Sequence, residues 1–176
     1  MLFTFRISAA NYHHHVLTAL SAAFQEDNQL IGTLGEGRNV LIRYELTALE
    51  ASHLPLELCV FISLSEAYSR GFFNHWLLAD KLSREGLEEL AFHSQTELPD
   101  LWVLVRCGRP FLFRAQPASD DSLVYDEASL QALDDEKLRA RLPGEESIRT
   151  ALGNNQNDVP LFMQPSDWRS LLKDAP

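Results

Sequence analysis

Three consecutive histidines, His13 to His15, are the first residues of this chain whose type could do chemistry. On a helix, neighbouring side chains diverge by about 100°, so three in a row cannot converge on one ion. On a strand, His13 and His15 would share a face, but a third ligand would have to come from elsewhere, and zinc takes three or four. His53, His75 and His93 show no HxxxH or HExxH spacing. The run reads as a polar helix face, and neither a metal nor a cofactor site is expected.

Glycine offers the second candidate. "GTLGEGRNV" places Gly32, Gly35 and Gly37 within six residues. Successive backbone N–H groups in such a stretch can cradle a phosphate, usually at a helix N-terminus. A Walker loop ends in Gly-Lys-Ser/Thr, whereas Gly37 is followed by Arg38 and Asn39. A dinucleotide loop runs from strand to helix, and this one runs from an expected helix to an expected strand. The stretch is therefore read as a connector that turns the chain.

Nucleophiles and acid–base pairs give less. There is no Gly-x-Ser-x-Gly elbow, and Cys59 and Cys107 lie in apolar runs, where a thiol is expected to be buried and inert. Carboxylates are abundant: 25 acidic against 15 basic residues give a net charge of −10. The excess concentrates between residues 115 and 148. Asp120, Asp121, Asp126, Glu127, Asp134, Asp135, Glu136, Glu145 and Glu146 fall there, against only Lys137, Arg139 and Arg141. This acidity lacks the central glycine and alternating ligands of a calcium loop. A field of this sign repels nucleic acid and anionic membrane and attracts cationic partners. The densest aromatic cluster, "GFFNHW" from Gly71 to Trp76, suits core packing, or else an anchor for a bound protein.

The elements that must position these residues follow from periodicity. Leu2, Thr4, Arg6 and Ser8 alternate with Phe3, Phe5 and Ile7, the pattern of a half-buried strand. "NVLIRYEL" and "LPLELCVFISLS" predict two more strands. "LWVLVRC", "GRP" and "FLFRA" predict a hairpin whose turn uses Gly108 and whose second strand admits Pro110 near its start. Helical spacing appears in "ANYHHHVLTALSAAFQED", in "EAYSRGFFNHWLLADKL" broken at Gly71, and in "SREGLEELAFHSQ". It returns in "DEASLQALDDEKLRARL", "GEESIRTALGNN" and "SDWRSLLKDAP".

The expectation is an α+β domain of 176 residues with an antiparallel sheet of about five strands, several helices and a helical C-terminal third. A soft internal boundary is placed near 116–122, within a single domain. No apolar run approaches the roughly 18 residues of a membrane span, and the N-terminus lacks a secretion signal. A cytoplasmic location is expected. In functional terms, the acidic segment suggests a non-enzymatic module that docks on a basic protein, such as a bacterial immunity protein occluding a toxin domain. Two alternatives stand beside it: a small enzyme with a dispersed histidine and carboxylate site, and a chaperone or adaptor of a secreted protein. A deep pocket of convergent polar groups would mark the enzyme.

Overall fold

Apolar residues at every second position build most of the sheet. The computed structural model describes residues 1–8, 13–35, 40–49, 52–72, 74–94, 100–116, 122–140 and 168–173. Among these, eight strands form one sheet: β1 (Leu2–Ile7), β2 (Ile31–Thr33), β3 (Ile42–Ala48), β4 (Leu56–Ile62), β5 (Glu89–His93), β6 (Leu101–Arg106), β7 (Arg109–Arg114) and β8 (Gln131–Ala132). Their spatial order is β2-β3-β4-β1-β5-β6-β7-β8. Four short helices accompany them: α1 (His13–Phe24), α2 (Leu64–Ser69), α3 (His75–Arg84) and α4 (Asp135–Ala140).

This corrects the expected five-stranded antiparallel sheet with a helical C-terminal third. The sheet is mixed, because β2 runs parallel to β3 with Ile31 opposite Ile42. The glycine connector leads from one into the other, so the chain comes back to run alongside its earlier course. Residues 87–93, expected to be helical, supply β5: Leu90, Ala91 and Phe92 are all buried, and burial on both faces erases the alternation that marks a strand. Within "DEASLQALDDEKLRARL" the chain forms a 3₁₀ turn at Glu127–Ser129, then β8, and only six residues of helix in α4. The described part of the last segment is a 3₁₀ turn at Trp168–Leu171. The helix expected in "GEESIRTALGNN" lies outside the described residues. The fold is dominated by its sheet.

One face of the sheet carries the main core. Phe3, Phe5 and Ile7 of β1 point there with Leu58, Val60 and Ile62 of β4 and Leu90 and Phe92 of β5, against Val16 and Leu20 of α1 and Leu78 and Leu82 of α3. Each such side chain contributes about 1.5–3 kcal/mol when fully buried. The chain enters α3 through Asn74, whose Oδ1 accepts from the Leu77 N–H at 2.9 Å. Gly71, at φ +79°, separates α2 from α3, as its place in "GFFNHW" suggests.

The opposite face divides in two. Over β5, β6 and β7, Leu54, Leu123 and Tyr125 pack on Ala91, Leu104 and Phe113 as a second apolar cluster. Ser52 stitches this cover together: its single hydroxyl proton lies within reach of both the Leu54 and Leu123 carbonyls, at 3.0 and 3.1 Å from Oγ, and Oγ accepts from the Leu123 N–H at 3.0 Å. Over β1, β4 and β3, the same face shows Thr4, Arg6, Glu57, Cys59, Arg43 and Glu45, with Leu2 and Phe61 at one end, all half-buried or exposed.

Candidate functional site

A break in the sheet lies between these two halves. β1 and β5 pair only at Arg6 opposite Ala91 and Ile7 opposite Leu90, although β5 stays paired with β6 as far as His93 opposite Trp102. Beyond Ala91 the two strands splay. The Thr4 N–H is met instead by His75, whose Nε2 accepts it at 3.2 Å. His75 stands at the first position of α3 and enters from the helix face. Its ring sits edge-on to Phe3 and Phe5, with centroids 5.4 and 5.6 Å away, and tilted against Phe92 at 5.8 Å.

That imidazole floors a cavity of about 290 Å³, walled by Thr4, Arg6, Glu57, His93 and Trp102, with Leu2 at its mouth. Arg6 Nη1 lies 3.1 Å from Glu57 Oε2. His93 braces Trp102 edge to face at 5.5 Å. Cys59 sits behind the rim, its Sγ 3.7 Å from Thr4 Oγ1.

Burial shifts two of the titratable groups here, His75 and Cys59. Burial lowers the His75 pKa to about 4, so the ring is neutral at pH 7. Its Nε2 lone pair is already committed to a backbone donor, and it could serve as a base only by giving up that bond. Burial pushes the Cys59 thiol up, opposed by its contact with Thr4, so it stays protonated at neutral pH. The cleft is large enough to hold a small molecule.

The acidic residues singled out in the sequence fall elsewhere. Asp120, Asp121, Glu145 and Glu146 lie outside the described residues. The other five form two groups flanking β8. Asp126 accepts from the Ala128 N–H at 2.9 Å and caps the 3₁₀ turn. Glu127 makes a two-pronged pair with Arg106 at 2.7 and 2.9 Å, which holds its carboxyl below the ordinary carboxylate value. Arg106 also reaches Glu89 at 2.5 Å. Asp134 caps α4, accepting from the N–H groups of Glu136 and Lys137 at 3.0 and 3.1 Å. Asp135 pairs with Arg139 at 3.1 Å, and Arg139 continues to Asp80 of α3 at 3.2 Å. Glu136 is exposed.

His13, His14 and His15 are exposed on the first turn of α1, with the His14 and His15 rings 3.8 Å apart. Among the described residues, no group of three or more His, Cys, Asp or Glu is placed to hold a metal ion. The burial expected of both cysteines from their apolar runs does not hold: Cys59 is half-buried and Cys107 is exposed. Cys107 occupies the exposed turn between β6 and β7 at φ 48°, with Gly108 at φ 72°, the paired positive values of a two-residue hairpin. Both cysteines are free.

Sequence reasoning missed the cleft residues. It did put Thr4 and Arg6 together on the polar side of β1, but nothing local signalled that β5 would leave that side, or that His75 would fill the gap. Comparison with protein-family models, with curated proteins and with solved structures yields no match. Among the described residues, no helix is long and apolar enough to cross a membrane.

Proposed function

We propose that this protein is a non-enzymatic, cytoplasmic binding protein for a basic protein partner, acting as an inhibitor that occludes an effector domain, as a bacterial immunity protein does. The observation that carries this reading is the way two described carboxylates of the acidic segment are held. Glu127 remains 63% exposed at its side chain while Arg106 fixes it, and Asp135 remains 42% exposed while Arg139 fixes it. An arginine pair of this kind orders the carboxylate without removing the chain's net charge of −10. Ordered, exposed carboxylates lose little side-chain entropy on meeting a partner's lysines and arginines, and the long-range field speeds the encounter.

The test is capture of a stoichiometric basic partner from the native lysate at low salt, with release at moderate salt. The same capture is repeated with Glu127→Lys and Glu136→Lys combined. Reversing Asp134 as well would confuse the result, because its side chain caps α4. The double reversal should weaken the partner at least tenfold at low salt while thermal unfolding stays cooperative. Unchanged affinity and unchanged salt dependence would sink the reading.

A further inference from the structure

We propose that the cleft between β1 and β5 is a binding site for a small, neutral, planar ligand that presents a hydrogen-bond acceptor and a donor side by side, as the edge of an aromatic carboxamide does. The site is independent of the acidic segment and of the partner it would attract.

Three features of the cleft select this chemistry. The first is a donor group at the wall. Arg6 lines the cleft and keeps 12% of its side chain exposed, while its Nη1 is sealed off 3.1 Å from Glu57 Oε2. The part of the side chain open to the cleft is what a ligand carbonyl would meet, since a guanidinium carries five N–H donors.

The second is the neighbouring acceptor. Glu57 keeps 27% of its side chain exposed beside the same guanidinium. A ligand carboxylate would meet Arg6 but stand against Glu57. A ligand cation would meet Glu57 but stand against Arg6. A neutral amide edge offers its carbonyl to Arg6 and its N–H to Glu57, satisfying both without net charge. The chain's net charge of −10 adds a further penalty for anions.

The third is the wall. Trp102 is half-buried and braced by His93, giving an aromatic surface already ordered before anything binds. The cavity of about 290 Å³ stands at the small end of ligand pockets, which suits a single ring system. Its width is set by the fold: His75 satisfies the Thr4 N–H and so keeps β5 from closing onto β1.

Benzamide, benzoate and benzamidine share one ring and differ only at the edge that matters. Each is titrated into the full-length protein, following the backbone amide resonances of Thr4, Arg6 and His93 together with tryptophan emission. Trp76 and Trp168 are 2% and 1% exposed, so a change in emission on binding reports mainly Trp102. Benzamide is expected to shift these signals saturably, binding about tenfold more tightly than either charged analogue. Trp102→Ala should abolish the shifts. Glu57→Gln removes the charge facing an anion and should tighten benzoate relative to benzamide, a reversal that mere loss of structure would not produce. Equal binding of all three probes, tighter binding of a charged one by the native protein, or no saturable shift with benzamide at millimolar concentration would overturn the proposal. So would a Glu57→Gln variant that folds and keeps the native preference.

Discussion

The two halves of the sheet face opposite the main helices differ because only one of them meets other described parts of the chain. Over β5 to β7 the inward positions are Ala91, Leu104 and Phe113, closed over by Leu54, Leu123 and Tyr125. Over β1, β4 and β3 the matching positions are Thr4, Arg6, Cys59, Glu57, Arg43 and Glu45, with Leu2 and Phe61 at one end. The same pleat and the same hydrogen-bonded ladder thus support a second core on one side and a largely polar, uncovered surface on the other among the described residues. The cleft forms where these surfaces meet, since neither pairing across β1 and β5 nor packing by the cover closes the gap.

The strongest way to break this comparison is to change one position on each side. Leu104 is fully buried, and Leu104→Ala should cost about 2–5 kcal/mol through lost burial and the cavity left behind. Glu45 is exposed, and Glu45→Gln should change stability by less than about 0.5 kcal/mol. Urea unfolding of both variants decides it, and similar midpoint shifts would mean that the two halves do not differ in packing as described.

The next effect belongs to the seam. His75→Phe keeps an aromatic ring among Phe3, Phe5 and Phe92 but strands the Thr4 N–H, a loss of about 1–3 kcal/mol at pH 7. It should also remove a pH dependence. The folded pKa of His75 is about 4, below its ordinary 6.5, so the unfolded chain takes up the proton first. This group's contribution is therefore fully present above about pH 6.5, is lost as pH falls toward about 4, and changes no further below that. The loss amounts to at most about 3 kcal/mol. Unfolding measured from pH 7 to pH 4 should show a shallower decline for the variant than for the native protein. Parallel declines would show that His75 does not carry that dependence.

The parts of this arrangement differ in how far the sequence discloses them. β1 is plain because Phe3, Phe5 and Ile7 alternate with residues that stay partly wet, and the β6–β7 hairpin is plain because Gly108 and Pro110 punctuate it. β5 is hidden because both of its faces are buried, so Leu87, Leu90 and Ala91 fall at a helix-like spacing. β8 is two residues long and exists through its register with β7, with Ala132 opposite Phe111, which no local pattern encodes. The cleft is hidden for a different reason: it depends on a contact between Thr4 and a histidine 71 residues away. The acidic segment shows the reverse case. Its charge is read directly from composition and its caps are local, but the pairs of Glu127 with Arg106 and of Arg139 with Asp80 reach outside it.

The smallest of these effects tests how the covered half is held. Ser52 Oγ serves two segments at once, through the carbonyl of Leu54 and both the N–H and carbonyl of Leu123. Ser52→Ala leaves Leu104, Phe113 and Tyr125 unchanged but removes the hydroxyl that joins residues 52–54 to 122–125. The His53 N–H bond to the Leu123 carbonyl at 2.9 Å remains, so the two segments stay linked and the loss should be about 1–2 kcal/mol, below that of Leu104→Ala. Hydrogen exchange separates local from global effects. The Leu123 amide should lose protection by more than the overall destabilisation explains, while amides in the β1–β4 ladder lose only the global amount. If both regions lost protection equally, the cover would be no weaker than the sheet beneath it, and the covered half would owe its closure to apolar packing without help from the hydroxyl.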